Sequence, residues 1–257
     1  KLAEQYSDKL GWSVDAERHV TVTCGVTEAI NVALLALLDP GDEIIIIEPA
    51  HENFVPAALL SGARPIAVPL TEQNFRLDVD LLKQSLTDRT RALMLNTPHN
   101  PSGRVFDANE MLAITDFVVN NNLILITDEI YDRVLYDGRT HVCPGSIEVL
   151  RDRTVTLGGM SKTFAVTGWR LGYIVASSEL MAAMTPIHDY LTICAPTPLQ
   201  MAAVTALNLP QEYYDDMLVD YHNRRDKMMS ILNTMGFRSQ KPEGAYYVLA
   251  DYSNVPS

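Results

Sequence analysis

The sequence predicts an α/β fold in which a mainly parallel sheet is flanked by helices, followed by the start of a smaller α+β domain. Short apolar and β-branched runs alternate with amphipathic stretches, as strands alternate with crossover helices in parallel sheets. Several of these runs end in polar residues, and ligands of such folds bind at the carboxyl ends of the strands. After Ala176 the alternation gives way to longer helical stretches.

Strands are expected where short apolar runs are bounded by turn residues. The run 43–47 is apolar without alternation, which is typical of a strand covered on both faces. The tail, 244–250, also has the composition of a strand. The full set of expected strands is 19–23, 43–47, 64–69, 91–95, 123–126, 153–157, 171–176 and 244–250.

Helices are expected between the strands, where apolar residues recur at helical spacing. Asp107 and Glu110 have the spacing of a capping box, and an apolar stripe runs from Met111 to Val118. A long helix, 210–235, has Pro210 in its first turn, so we place a domain boundary there, with domains at 1–209 and 210–257. The other expected helices are 2–10, 25–38, 53–61, 79–86 and 179–184, and residues 192–198 are expected to form a turn-rich bridge.

The composition is that of a globular protein with a substantial core. Of 257 residues, 47% are hydrophobic and 20% charged, and no apolar run approaches membrane-spanning length. A formal net charge of −12 argues against nucleic-acid and anionic-membrane partners. Cysteines 24, 143 and 194 form no CxxC pair, which favours a reducing cytoplasmic location. The six histidines lack ligand spacing, so we expect no catalytic metal.

A glycine-bordered loop between the sixth and seventh expected strands contains Lys162 and Arg170. Glycine allows a backbone to approach a ligand closely, and a neutral lysine condenses with an aldehyde. Arginine offers a rigid fork of donors that suits phosphate. The loop therefore indicates a reactive lysine beside an anion site, although a turn with two solvated cations would have the same composition.

Three other strand ends carry polar residues that could face a ligand. Residues 24–27 form a glycine turn at a helix start, where free N–H groups favour phosphate. Asn100 lies between two prolines in the loop 96–103, and Asp128 precedes Tyr131 after the fifth expected strand. Taken singly, each has an ordinary alternative: a common βα turn, a simple loop, or a helix cap at Asp128.

Together these motifs resemble the pyridoxal-phosphate enzymes of aminotransferase class I/II, which have the aspartate-aminotransferase fold. The matching stretches are Asn-Thr-Pro-His-Asn-Pro-Ser-Gly at 96–103, Asp-Glu-Ile-Tyr at 128–131, Ser-Lys at 161–162 and Gly-Trp-Arg-Leu-Gly at 168–172. They occur in the family's order and approximate spacing. The similarity runs from the first residues to Tyr252 and corresponds to the central part of such an enzyme.

The resemblance implies a role for each candidate residue. Lys162 would hold pyridoxal 5′-phosphate as a Schiff base and move the substrate proton. Asp128 would pair with the pyridine nitrogen and make the ring an electron sink. Tyr131 would hydrogen-bond the ring oxygen and complete the catalytic set. The remaining implied contacts are Asn100 to the ring oxygen and the substrate, Gly25, Val26, Thr27 and Arg170 to the phosphate, and His51 stacked on the ring.

The implied activity is transfer of an amino group between an L-amino acid and a 2-oxo acid by a homodimer. A β-lyase, a cyclising synthase and an effector-sensing domain of a transcription regulator would share the same residues. Two departures from the family pattern occur. Three residues before Lys162, many relatives have a serine or threonine that contacts the phosphate, and this chain has Gly159 there. The family's N-terminal arm and its carboxylate-binding arginine are not found in these residues. The segment 188–200 is most similar to relatives acting on aromatic amino acids, kynurenine, methionine or glutamine.

Overall fold

A computed structural model describes residues 1–253 and contains a seven-stranded sheet with strand order β1-β7-β6-β5-β4-β2-β3. The strands are β1 Val20–Thr23, β2 Glu43–Glu48, β3 Arg64–Pro69, β4 Thr90–Asn96, β5 Ile124–Asp128, β6 Thr154–Gly159 and β7 Gly172–Val175. Strands β2 to β6 pair in parallel, whereas β7 is antiparallel to both β6 and β1. The predicted mainly parallel sheet is confirmed.

Helices cover both faces of this sheet. They are α1 Leu2–Leu10, α2 Val26–Leu37, α3 Phe54–Leu60, α4 Val79–Gln84, α5 Ala108–Asn120, α6 Met160–Thr163, α7 Ser178–Leu191, α8 Thr197–Ala206 and α9 Gln211–Thr234. Short 3₁₀ turns occur at Pro144–Ser146, Glu148–Arg153 and Thr167–Trp169. In the described range, no helix is both long and apolar enough to cross a membrane.

Strand β2 is buried on both faces, as its sequence predicts. Ile44 and Ile46 pack into the core under α2 and α7, whereas Ile45 and Ile47 pack into the core under α4 and α5. All four side chains are at most 2% exposed. A third core, under α1 and α8, covers the β1–β7 end of the sheet. The sheet is therefore the middle layer of three, and its strand ends open at the edges between layers.

The capping box predicted at the start of α5 is present. The Asp107 side chain accepts the N–H groups of Asn109 and Glu110, and the Glu110 carboxylate accepts the Asp107 N–H at 3.0 Å. Asp78 caps α4 in the same way. In contrast, no side chain caps α2, whose N-cap residue is Gly25. The first N–H groups of α2 are therefore available to a ligand.

The strand expected at 244–250 is wrong. Among the described residues of this segment, a strand forms only at Ala250–Asp251 (β9), which pairs with Arg238–Ser239 (β8), while Gly244 makes a single bridge to Leu135. The N–H of Gly244 bonds the carbonyl of Gly103 at 2.9 Å, and the N–H of Ala245 bonds that of Val134 at 2.9 Å. Ala245 also has φ of +55°, which no strand accommodates. The N–H groups that would pair with a neighbouring strand are therefore bonded to loops that connect elements of the large sheet.

The helix expected at 179–184 is longer than its sequence indicates. α7 continues to Leu191 through Pro186, and α8 begins at Thr197, so the expected bridge is a turn over 192–196 and helical only at its last two residues. Met181, Met184 and His188 are buried along α7, and α2 packs against it. Tertiary packing therefore outweighs the local cost of the proline. α9 and the β8–β9 pair follow residue 209, and the domain boundary stays a prediction.

Candidate active site

The predicted site residues meet around one cavity of about 180 Å³ at the carboxyl ends of the central strands. Larger cavities exist, including one of about 350 Å³ beside Tyr246 and Tyr247. The smaller cavity is where a lysine, a buried carboxylate and an arginine come together. Among the nine predicted residues, those lining it are Val26, Thr27, His51, Asn100, Asp128, Tyr131, Lys162 and Arg170, and Gly25 lies directly behind Arg170.

The start of α2 and Arg170 form a corner of hydrogen-bond donors, the predicted anion-binding corner. Gly25 has φ of +83°, and a Cβ there would lie 2.8 Å from the Cζ of Arg170. A Cβ at Gly172 would lie 2.6 Å from the N of Val26, so this glycine lets β7 contact the same turn. The uncapped N–H groups of Val26 and Thr27 and the guanidinium therefore share one corner, which suits a phosphate.

Lys162 lies on the single-turn helix α6, directly after β6, and is half-buried. Its Nζ is 5.8 Å from the centre of the Tyr246 ring. The carbonyl of Ser161 accepts the Val166 N–H at 3.1 Å and the Thr167 hydroxyl at 3.3 Å, which fixes the loop after the lysine. Over residues 1–253 no carboxylate forms an ion pair with Lys162. Its amine is therefore directed into the cavity without a competing salt bridge.

The departure at Gly159 has a steric reason. A Cβ at this position would lie 3.0 Å from the Cγ2 of Val26 and 3.3 Å from the carbonyl of Leu171. The backbone of β6 therefore runs close to the start of α2, and the space for a phosphate-binding hydroxyl is limited. Arg170 and the first N–H groups of α2 are donors at this corner, and the Ser161 side chain lines the same cavity.

Asp128 is the last residue of β5, and its side chain faces the cavity although the residue is only 3% exposed. Its Oδ1 accepts the N–H of Ile130 at 3.1 Å. Burial raises the pKa of Asp128 to about 7. In the part of the chain that the structure describes, no cation pairs with it. The alternative role as a helix cap is wrong, because only a turn follows Asp128.

Asn100 is held by a chain of hydrogen bonds that ends on β5. Its N–H donates to the Oδ1 of Asn96 at 2.6 Å, and the Nδ2 of Asn96 donates to the carbonyl of Asp128 at 2.8 Å. The Asn100 amide is 3.4 Å from the Nδ1 of His51. Burial lowers the pKa of His51, which favours a neutral ring that can accept this contact. The loop 96–103 therefore turns its amide toward the cavity.

The hydroxyl of Tyr131 is 2.9 Å from that of Tyr247, which the sequence analysis missed. Burial and Tyr247 raise the pKa of Tyr131, so its phenol stays protonated at neutral pH. The adjacent residues Tyr246 and Tyr247 could have indicated an aromatic contact with the site, but this segment was expected to form a strand. Other lining residues without a prior assignment are Ile30, Asn53, Ile130, Ser161 and Thr167. Among residues 1–253, no group of three or more His, Cys, Asp or Glu residues could hold a metal ion.

The chain belongs to the family Aminotransferase class I and II, whose sequence profile matches residues 1–255. It is 37% identical over 250 residues to an aspartate aminotransferase of Pyrococcus abyssi, covering 96% of this chain and 64% of that protein. It is 34% identical over 254 residues to a methionine aminotransferase of Escherichia coli, covering 99% of this chain and 66% of that one.

Solved structures of the family have the same fold. The N-succinyldiaminopimelate aminotransferase of Mycobacterium tuberculosis superposes with a TM-score of 0.94 at 35% identity, over 98% of this chain and 66% of that one. The predicted family and fold class are therefore confirmed. The chain spans less than two thirds of the length of the first curated relatives.

Proposed function

We propose that this protein is a pyridoxal 5′-phosphate-dependent aminotransferase that moves an amino group between an L-amino acid and a 2-oxo acid. One observation carries the proposal: Asp128 is a buried carboxylate with no cation among the described residues, and it shares a cavity with Lys162 and the anion-binding corner. A buried carboxylate needs a partner, and a protonated pyridine nitrogen supplies one. Lys162 matches the aldehyde of this cofactor, Asp128 matches its ring nitrogen, and the anion-binding corner matches its phosphate.

When bound, pyridoxal 5′-phosphate supplies an aldehyde that condenses with amines and a ring that accepts electrons from the substrate Cα. Arg170 and the N–H groups of Val26 and Thr27 would hold the phosphate, and Gly25, whose own N–H donates to the carbonyl of Thr23 at 2.8 Å, would let the guanidinium approach closely. Asp128 would keep the ring nitrogen protonated, and at an effective dielectric near 20 such an ion pair is worth roughly 4 kcal/mol. His51, which lines the same cavity, would pack against the ring.

The chain's own groups then move the proton. The Nζ of Lys162 would hold the cofactor through its aldehyde and, once the substrate amine has replaced it there, would be the free base that takes the proton from the substrate Cα. Lys162 would deliver that proton to the cofactor, and hydrolysis by water would release the 2-oxo acid and leave the amino group on the cofactor. Tyr131 and Asn100 would donate hydrogen bonds to the ring oxygen, and Asn100 would also contact the substrate.

Transamination is favoured over β-elimination and ring closure by the names of the relatives. Aspartate, methionine, aromatic-amino-acid and kynurenine aminotransferases all match over 96% or more of this chain. Their differing donors leave the choice of amino acid open. A lyase or a synthase would use the same residues around the cavity, and the half-reaction described below distinguishes these reactions from transamination.

The protein acts as a cytoplasmic homodimer, with residues 1–209 as the cofactor-binding domain and 210–257 as the start of the small domain. Support for a subunit contact comes from Tyr190, Leu191 and Ile193, which are 91%, 49% and 78% exposed at the end of α7. Three free cysteines, 24, 143 and 194, fit a reducing compartment. Sedimentation of wild type and Ile193→Asp tests the dimer, and an unchanged monomer in both would reject it.

The test of the function is a half-reaction of the full-length protein with pyridoxal 5′-phosphate and one amino acid, without a 2-oxo acid. The bound aldehyde form should change to the amine form, and 2-oxo acid release should stop after one equivalent per site. Continuous release of pyruvate and ammonia from a β-substituted amino acid would identify a lyase instead. Absence of cofactor binding by the wild type would reject the proposal altogether.

A further inference from the structure

Behind the cavity, the carboxylate of Glu129 is completely buried, and it is the hub of a cluster formed by Lys9, Glu129, Asp132, His141 and Cys143. Its Oε2 lies 3.1 Å from the Nζ of Lys9 and 2.6 Å from the Nε2 of His141. Its Oε1 accepts from Thr127 at 2.9 Å and from Cys143 at 3.1 Å. Four donors occupy the acceptor sites of the carboxylate.

This arrangement holds Glu129 as a permanent anion. Burial opposes ionisation, but Lys9 and His141 outweigh it and hold the pKa of Glu129 well below its usual range. Lys9 also pairs with Asp132 at 3.0 Å, and burial of its ammonium is likewise outweighed by Glu129 and Asp132, which raise its pKa. Burial and Glu129 raise the pKa of the Cys143 thiol, so Cys143 acts as a donor. The Lys9 ammonium is thus shared between two carboxylates, Glu129 and Asp132.

The cluster touches the backbone that carries Asp128. Successive side chains of a strand point to opposite faces, so Asp128 faces the cavity while Thr127 and Glu129 face the layer of α1. The N–H of Glu129 bonds the carbonyl of Leu157 on β6 at 2.9 Å, which fixes the peptide between the two acids. The titratable groups that face Glu129 come from three elements. Lys9 lies on α1, Asp132 in the turn after β5, and His141 and Cys143 in the loop before Pro144. Tyr6 and Tyr173 lie on the far side of the cluster.

We infer that Glu129 is a positioning residue. Its negative charge, which Lys9 and His141 stabilise, makes Asp128 bind a cation in the cavity more tightly. The inference rests on the proposed function, in which that cation is the protonated ring nitrogen. A negative charge one residue away disfavours a second negative charge on Asp128, so Asp128 binds a proton or a cationic group more tightly. Because Lys9 is 120 positions away in sequence, the coupling exists only in the folded chain.

The test follows the Asp128 carboxyl directly, by ¹³C NMR of the cofactor-free, full-length protein labelled at aspartate Cγ. Loss of one signal in Asp128→Asn assigns the resonance. In Glu129→Gln the titration midpoint of the Asp128 carboxyl should fall by about one pH unit, because the substitution removes a neighbouring negative charge. In Lys9→Gln, which removes the cation, the midpoint should rise.

Glu43→Gln is the matched control. Glu43 is also a buried carboxylate, 1% exposed, and pairs with Arg89 at 3.0 Å, but it begins β2 at the opposite edge of the sheet. Its loss should lower stability and leave the Asp128 midpoint unchanged. An unchanged midpoint in folded Glu129→Gln, or in Lys9→Gln if the first variant does not fold, overturns the inference. Cofactor affinity of the wild type, measured separately, tests the proposed function, so the two failures are distinguishable.

Discussion

The guanidinium group of Arg170 lies against the Cα of Gly25, in the space that a side chain at residue 25 would occupy. The two residues are far apart in sequence and meet because β7 pairs with β1 and directs its preceding loop toward the start of α2. Glycine is required twice at this contact, for its φ of +83° and for the missing Cβ. The backbone donors of α2 and the guanidinium are therefore close enough to bind the same anion.

Gly25→Ala should weaken phosphate binding at this corner. The new Cβ strains the backbone and displaces the guanidinium of Arg170. We expect a loss of about 1–3 kcal/mol in the free energy of unfolding and a fall in affinity for pyridoxal 5′-phosphate of about tenfold or more, the ratio that corresponds to losing one charged hydrogen bond. Gly11→Ala is the control, because Gly11 has φ of +72° and no atom within 4 Å of its Cβ position. Equal affinities in both variants would contradict the proposed corner.

Lys162 should be the residue that binds the cofactor covalently. Borohydride reduction of the full-length protein with pyridoxal 5′-phosphate, followed by peptide mapping, should place the label on Lys162 alone. Lys162→Ala should take up no label, and activity should fall by several orders of magnitude because both nucleophile and base are lost. Lys83→Ala, on the exposed side of α4, should label as wild type does. A label on any other lysine would refute the assignment.

Asp128 should make the cofactor-free protein less stable as pH rises. Its folded pKa of about 7 lies above the value of an unfolded aspartate, so between about pH 4 and 7 the unfolded state binds fewer protons than the folded state. Stability contributed by the neutral carboxyl is full below about pH 4 and is lost as pH rises toward 7. Asp128→Asn should therefore be more stable than wild type by ~2–4 kcal/mol at pH 8, and nearly equal at pH 4.

The same variant should lose function while it gains stability. Without the carboxylate the ring nitrogen has no anionic partner, so we expect a drop in the rate of proton abstraction by a factor of about a hundred or more. Asp116→Asn, on the exposed side of α5, is the control for both measurements. Denaturant unfolding at pH 4 and pH 8 checks the stability, and a lower stability of Asp128→Asn at pH 8 would show that burial of this carboxyl is not costly.

Tyr247→Phe should weaken the site without unfolding it. The substitution removes the 2.9 Å contact to the Tyr131 hydroxyl and keeps the ring in place. We expect kcat/KM to fall about fivefold, since a neutral hydrogen bond contributes ~1 kcal/mol. Tyr252→Phe, at a residue that is 75% exposed, should leave kcat/KM unchanged. Equal rates for wild type and Tyr247→Phe would mean that Tyr131 is oriented by other groups.

The layer architecture and most of the residues around the cavity can be predicted from local sequence patterns. The uninterrupted isoleucines of β2, the capping box at Asp107 and the alternation of strands and helices are local patterns, so they can be recognised without a structure. Parallel strands bring their carboxyl ends to one edge, which is why Asn100, Asp128 and Lys162 could be expected together.

Contacts between residues that are distant in sequence depend on how the layers pack, and they had to be read from the folded chain. Glu129 follows Asp128 directly, yet its carboxylate is bound by Lys9 from α1 and by His141, which no spacing rule indicates. The segment 244–250 has the composition of a strand, but Gly103 and Val134 take its hydrogen bonds and leave Tyr247 beside Tyr131. Periodicity records which face of an element is buried, whereas the partner it meets depends on how the layers pack.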